Sequence, residues 1–381
     1  MKAESAYSLC PDPYRAGVEL GERLRPVSPE VVFLFSSIHY AGTDELQGGL
    51  CDALGGPVPI IAGATGDGFF ERERDSLIGA SALGLHTEGK GACVWARANG
   101  VARDVSGAVT RGLAELRGKA RPRELQLVLA FSDFRTDASL LEQALQRESS
   151  CPVVGGLAGD DYEVKRCGVY CNGETVEDAV VFVGLAGPIP FDIRVARELR
   201  AYGEIGEVTR SEGRSILEID GVPAMAFVEK AVGKPVLRSE KGIVAFRVYR
   251  GSSRTTYCMR SIIGEFGIGD GTVALLGKIP AGARVQVCLA DQEDMLADTR
   301  RVGAPGKSDI AAALLVNCAG RAACLRGTER REVDEFFAAS GQRVPLAGFA
   351  SFGEISSLKA GKGYGQPLFH NMTAAWLLLG T

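Results

Sequence analysis

Pro59-Ile60-Ile61-Ala62-Gly63-Ala64-Thr65-Gly66-Asp67 and Pro152-Val153-Val154-Gly155-Gly156-Leu157-Ala158-Gly159-Asp160 superpose position by position as P-x-x-[AG]-G-x-x-G-D. Each is a short apolar run that stops in glycines and an acid. Such a run, apolar without alternation, reads as a strand buried on both faces. A third copy, Pro345-Leu346-Ala347-Gly348-Phe349-Ala350-Ser351-Phe352-Gly353-Glu354, fits with a shifted glycine and one extra residue.

Upstream of each copy lies another apolar run that ends in small polar residues. These are Val31 to Ser37, Leu125 to Asp133 and Ala311 to Cys318. Between the two runs of each pair the spacing predicts an amphipathic helix, over 44–54, 137–147 and 329–339. In the second, Ala138, Leu141, Ala144 and Leu145 fall at helical spacing. Three strand–helix–strand units therefore predict parallel strand pairs with crossover helices. The fold class is α/β, with mixed sheets built on these repeats and two closely packed halves. Between the units the chain reads as β-rich. Asn172-Gly173 marks a hairpin, because Asn-Gly readily takes positive φ. Further strands are expected over 242–249, 272–276 and 283–289. A boundary near 200–220 gives domains of 1–210 and 211–381.

Hydrophobic residues make up 46% of the chain and the net charge is −4, with no block of five like charges. This argues against a nucleic-acid or anionic-membrane surface. No apolar run reaches the roughly 18–20 residues needed to span a bilayer, and no charged-then-apolar leader follows Met1. The expected compartment is the cytoplasm. Ten cysteines without a CxxC pair read as free thiols, mostly small core residues.

Several segments resemble the FIST family. Phe33-Leu34-Phe35-Ser36-Ser37, Gly63 to Phe69, Gly155 to Asp161, and Asn172-Gly173 with Asp178 to Val181 are similar to its N-terminal domain. Asp220-Gly221-Val222-Pro223-Ala224 looks like the start of the C-terminal domain. Leu346 to Ile355 and Phe369-His370-Asn371-Met372-Thr373 look like its end. The resemblance runs over about residues 10–381. It implies a sensory input module of bacterial signalling systems that takes small ligands such as amino acids. Some members resemble haem-binding nitric oxide sensors, and catalysis is not the family's established role. No kinase, receiver or cyclase motif follows, so the signal would pass to a separate protein such as a histidine kinase.

The candidate site residues lie at the strand ends, where open α/β sheets usually bind ligands. Gly66 and Gly159 let backbone approach a ligand closely. Asp67, Asp160, Asp161 and Glu354 offer carboxylates for an ammonium group; their alternative use is to cap helices or close turns. Ser36, Thr65, Asn317 and Ser351 are polar groups at the same edge. Arg321 can clamp a carboxylate in bidentate fashion, or lie on a solvated surface. His370 belongs to the family-like C-terminal motif. It is the haem ligand if haem is bound, and a buried hydrogen-bonded residue otherwise. No cofactor is required by these residues. An enzyme remains a further reading, through paired Asp160-Asp161 or a Cys318–His370 pair. No nucleophile-elbow or phosphate-loop motif supports it. The glycine-rich stretch 264–271 reads as a turn.

Overall fold

The computed structural model describes residues 1–55, 60–237, 242–251, 253, 255–262, 271–306, 309–326 and 331–380. Pro59, Glu329 and residues 264–270 of the glycine-rich stretch lie outside them.

All three sequence units form as expected. Val31–Ser36 pairs in parallel with Ile60–Thr65, Leu125–Ser132 with Val153–Leu157, and Ile310–Cys318 with Leu346–Ser351. The crossovers carry Glu45–Leu54, Ala138–Glu148, and in the third unit the two helices Ala319–Leu325 and Glu332–Ser340. Asp137 starts the second crossover helix by accepting the Ser139 and Leu140 amides. Asn172 and Gly173 take φ of 48° and 94° between the strands Val169–Cys171 and Glu174–Val176, as the hairpin reading requires.

The units are the centres of three alike six-stranded sheets. In each, an antiparallel strand flanks the first parallel strand: Ala80–His86, Ala179–Ala186 or Ala374–Gly380. An edge strand lies beyond it: Lys2–Ser8, Ala92–Asn99 or Phe191–Ala196. A hairpin completes the other side, and it always comes from a different repeat. The hairpin of Phe69–Glu71 and Asp75–Ser76 joins the third sheet. That of Val169–Cys171 joins the first. That of Glu354–Ala360 and Gly363–His370 joins the second. The exchange is cyclic, so no sheet is complete without a neighbouring repeat.

The inner faces of the three sheets share one core. Phe35, Phe131 and Phe349 meet there with ring centroids 4.9–6.1 Å apart. Each outer face is covered by helices, for example where Phe336 stacks on Trp376 at 3.9 Å. A separate seven-stranded antiparallel sheet, within residues 200–289, is inserted in the third repeat between its edge strand and the helix Gln292–Gly303. The expected boundary at 210/211 falls inside the strand Arg200–Glu212. The C-terminal half therefore opens on this insertion, and the third repeat spans both halves.

At Gly63, Gly155 and Gly348 a Cβ would lie 1.8, 1.8 and 2.1 Å from the carbonyl oxygen of the facing residue, Leu34, Ala130 or Leu315. These three positions are equivalent, and each sets how closely its parallel pair can cross. Gly63→Ala should cost at least about 3 kcal/mol in chemical denaturation. Gly48→Ala, on an exposed helix face with nothing near its Cβ, should gain about 0.5–1 kcal/mol. Equal effects would refute the close-crossing account.

Candidate functional site

The ends of the three second strands interlock. Asp67 N–H donates to Ala350 O, Gly159 N–H to Thr65 O, and Phe352 N–H to Leu157 O, at 2.9, 2.9 and 3.1 Å. The three loops after these strands therefore meet in space. The bonds also fix the equivalence of the repeats, and it differs from the sequence superposition by one residue. Asp67 corresponds to Gly159 rather than to Asp160, because Val153–Leu157 is one residue shorter than Ile60–Thr65. The acids that looked alike in sequence stand in different places.

Much of the predicted polar set is spent on this junction. Ser36 Oγ donates to Ser37 O and accepts from Tyr170 Oη. Thr65 Oγ1 donates to Gly159 O and accepts from Gly168 N. Gly66 and Gly159 are packing positions: a Cβ there would lie 2.6 Å from Ala350 O and 2.9 Å from Asp67 Oδ1 respectively. Ser351 Oγ donates to Glu354 Oε1, while Thr373 donates from both N and Oγ1 to Oε2. Burial pushes the Glu354 carboxyl up to about 8, against the Thr373 and Ser351 hydrogen bonds that lower it.

Asp160 is a loop-closing acid. Its two oxygens accept the backbone N–H groups of Val164, Lys165 and Arg166 at 2.5–2.9 Å. It holds a loop in which Asp161, Tyr162 and Val164 all take positive φ. Asp161 turns outward and pairs with His39 Nε2 at 3.0 Å. Arg321 is buried, not solvated. Its guanidinium donates to Glu332 Oε1, Met295 O and Thr299 Oγ1. Asn317 Nδ2 donates to Glu332 Oε2 at 2.9 Å.

Asp67 is different. It is 1% exposed, yet neither carboxyl oxygen has a hydrogen-bond partner among the described residues. Asp67 borders a cavity of about 300 Å³ together with Asn317, Glu332, Arg326, Arg331 and Asp75. Asn317 Oδ1 is likewise buried and unpartnered. Arg331 is held by Asp75 and by the carbonyls of Glu71 and Arg72. Arg326 lies over the Tyr162 ring at 6.0 Å. Burial pushes the Asp67 pKa up to about 7; nearby Tyr162 and Asp161 amides oppose this without closing a well-formed hydrogen bond, and the Asp161 and Asp160 charges add to it.

A FIST N domain matches residues 30–222 and a FIST C domain residues 216–357. This chain belongs to the FIST family. FIST domains are generally taken as sensory, signal-transduction domains. A stretch of 99 residues, 26% of the chain, is also 31% identical to the uncharacterized protein MJ1623 of Methanocaldococcus jannaschii. That match spans 19% of the relative's length. No helix among the described residues is long and apolar enough to cross a membrane.

His370 was the residue on which a haem-binding FIST reading would rest. Its ring is fully buried with both nitrogens unpartnered. Burial, then the charges of Arg197, Arg260 and Arg250, hold its pKa well below the usual value. His370 borders neither the Asp67 cavity nor the larger cleft beside it. Cys318 does border that cleft, but burial and the neighbouring Glu354 push its pKa up and keep it a thiol. This donor set does not fit a haem iron. Sequence reasoning missed Arg326, Glu332 and Tyr162. None sits in a glycine–acid motif, and they meet Asp67 only through the strand exchange.

The two acids once aligned now predict opposite effects. Burial pushes the Asp67 pKa up to about 7 against about 4 unfolded, so its contribution to stability is fully present at low pH. It falls as pH rises through this interval and levels off above 7, a change on the order of 3–4 kcal/mol. Asp67→Asn should therefore be more stable than wild type at pH 8, with the gap closing towards pH 4. Asp160→Ala should be less stable at pH 8 by about 2–4 kcal/mol, having orphaned three amides. Urea titrations at the two pH values check both signs.

Proposed function

We propose that this FIST protein is a sensory module whose Asp67 cavity takes a small ligand bearing a protonated amine, of the amino-acid class. The observation that carries the reading is the buried Asp67 carboxyl with both oxygens free, beside the equally free Asn317 Oδ1. Buried acceptors without donors are costly. An ammonium group supplies three donors and a compensating charge. Arg326, on the same wall, is placed for the carboxylate of the same molecule. About 300 Å³ suits a ligand of this size. The spent hydrogen bonds of Asp160, Thr65 and Ser351 leave recognition to Asp67, Asn317 and Arg326.

The reading requires no cofactor and no catalysis. The signal arises if the ligand binds one conformation better than another, and it passes to a separate protein, such as a histidine kinase, in the cytoplasm. Glu332 couples the site to the interior, since it borders the cavity while fixing Arg321 and Asn317.

Calorimetric titration of L-amino acids, their decarboxylated amines and their deaminated acids tests this. Amine-bearing members should bind, and Asp67→Asn should weaken them by at least about a hundredfold. Pairing needs the ionised carboxyl, so affinity should rise about tenfold per pH unit up to about 7 and then flatten. Binding by deaminated acids alone, or affinity indifferent to Asp67→Asn, would sink the proposal.

A further inference from the structure

A second cleft is larger than the cavity at Asp67. It encloses about 1200 Å³ between the inserted sheet and the second and third repeats. Its walls are mainly apolar. Phe134 and Phe352 pack edge to face at 5.7 Å on one side, with Phe369 beside them. Ile243, Ile262 and Leu276 face them from the insertion.

The polar side chains that reach this cleft are nearly all occupied by the protein. Arg135 is held by Asp133 and Glu177. Asp137 pairs with Lys278 and caps its helix. Thr136 bonds Ser132, Tyr162 Oη donates to Ala319 O, and Ser351 is bound to Glu354. A polar ligand would find few free partners here. One charged group stands apart. Arg214, at the tip of an insertion hairpin after Gly213, borders the cleft with no side-chain partner among the described residues.

We propose that this cleft is a second binding site, for an apolar molecule ending in a single carboxylate, of the medium-chain acyl kind. The acyl chain lies against the phenylalanine wall and the insertion. The carboxylate meets Arg214 at the edge. Apolar burial supplies the affinity and the guanidinium supplies orientation. The site is independent of the amine reading, since Asp67 borders the other cavity. Because its occupant touches both the insertion and the repeats, binding fixes their relative position.

The test is titration calorimetry of the whole protein with decanoate and with decan-1-ol. Decanoate should bind saturably, about tenfold more tightly than the alcohol. Arg214→Ala, a change at an exposed side chain, should remove that advantage and leave the alcohol unchanged. Ala323→Trp, which fills the cleft from an exposed helix position, should abolish both. As a readout free of variants, decanoate should slow alkylation of Cys324 by N-ethylmaleimide and leave Cys10 unaffected, by peptide mass spectrometry. Cys324 borders the cleft and Cys10 does not. Absence of saturable binding, equal affinity for acid and alcohol, or binding that survives Ala323→Trp would overturn the assignment.

Discussion

Three backbone hydrogen bonds, from Asp67 to Ala350, Gly159 to Thr65 and Phe352 to Leu157, close a ring around the axis of the molecule. Everything else is arranged by that ring. Each bond carries a chain out of its own sheet and onto the next, so the hairpin that follows must pair there. The glycines at 63, 155 and 348 permit the close strand crossings that precede it. Buried amides and carbonyls need partners. In a lone repeat these strand-end groups would have none, so a single unit cannot satisfy its own backbone. The three repeats stabilise one another or not at all.

The same ring explains what the sequence discloses and what it hides. Apolar runs, helical spacing and the Asn172-Gly173 turn are local signals, and the local elements came out where they were read. The destination of each hairpin is set by pairings across most of the chain, such as Phe349 with Phe69, and no local pattern encodes them. The glycine–acid match was a true sign of repetition with a false register. One residue fewer in Val153–Leu157 moves Asp160 past the ring position that Asp67 holds. There it meets three amides of its own loop, while Asp67 is left with none. Arg321 misled in a similar way. A cation after a strand looks solvated in sequence, yet the paired Glu332 comes from the next helix and encloses it.

The insertion is bound to the repeats by charged and by apolar contacts. Glu142 receives Arg250 and Arg260 from the insertion, with Arg260 at 3.0 Å, and Asp137 receives Lys278 at 2.9 Å. Charged contacts of this kind fix orientation more than they stabilise. Apolar packing adds to them, since Ala245, Met259 and Cys288 of the insertion share a buried cluster with Met295, Leu296 and Met372 of the third repeat. Tyr162 borders the larger cleft. Its hydroxyl holds the Ala319 carbonyl, its backbone lies against Asp67, and its φ is +65°. Non-glycine residues persist in such conformations only where their surroundings over-determine them.

Asp67 is the part of the molecule that stability alone does not account for. Asn at this position would keep the size and remove the charge. The Arg321–Glu332 pair shows that the same fold gives a buried charge an opposite charge at hydrogen-bond distance when the charge is structural. At Asp67 no such partner exists among the described residues, and Asp67 borders a cavity. A buried acid with a displaced pKa beside open space is the arrangement in which the missing partner is supplied from outside. The cavity walls then decide what that partner is. Two free acceptors, Asp67 and Asn317 Oδ1, require a donor-rich cation at one end, and Arg326 requires an anion at the other. The proposed amine ligand, as a zwitterion, would meet both demands.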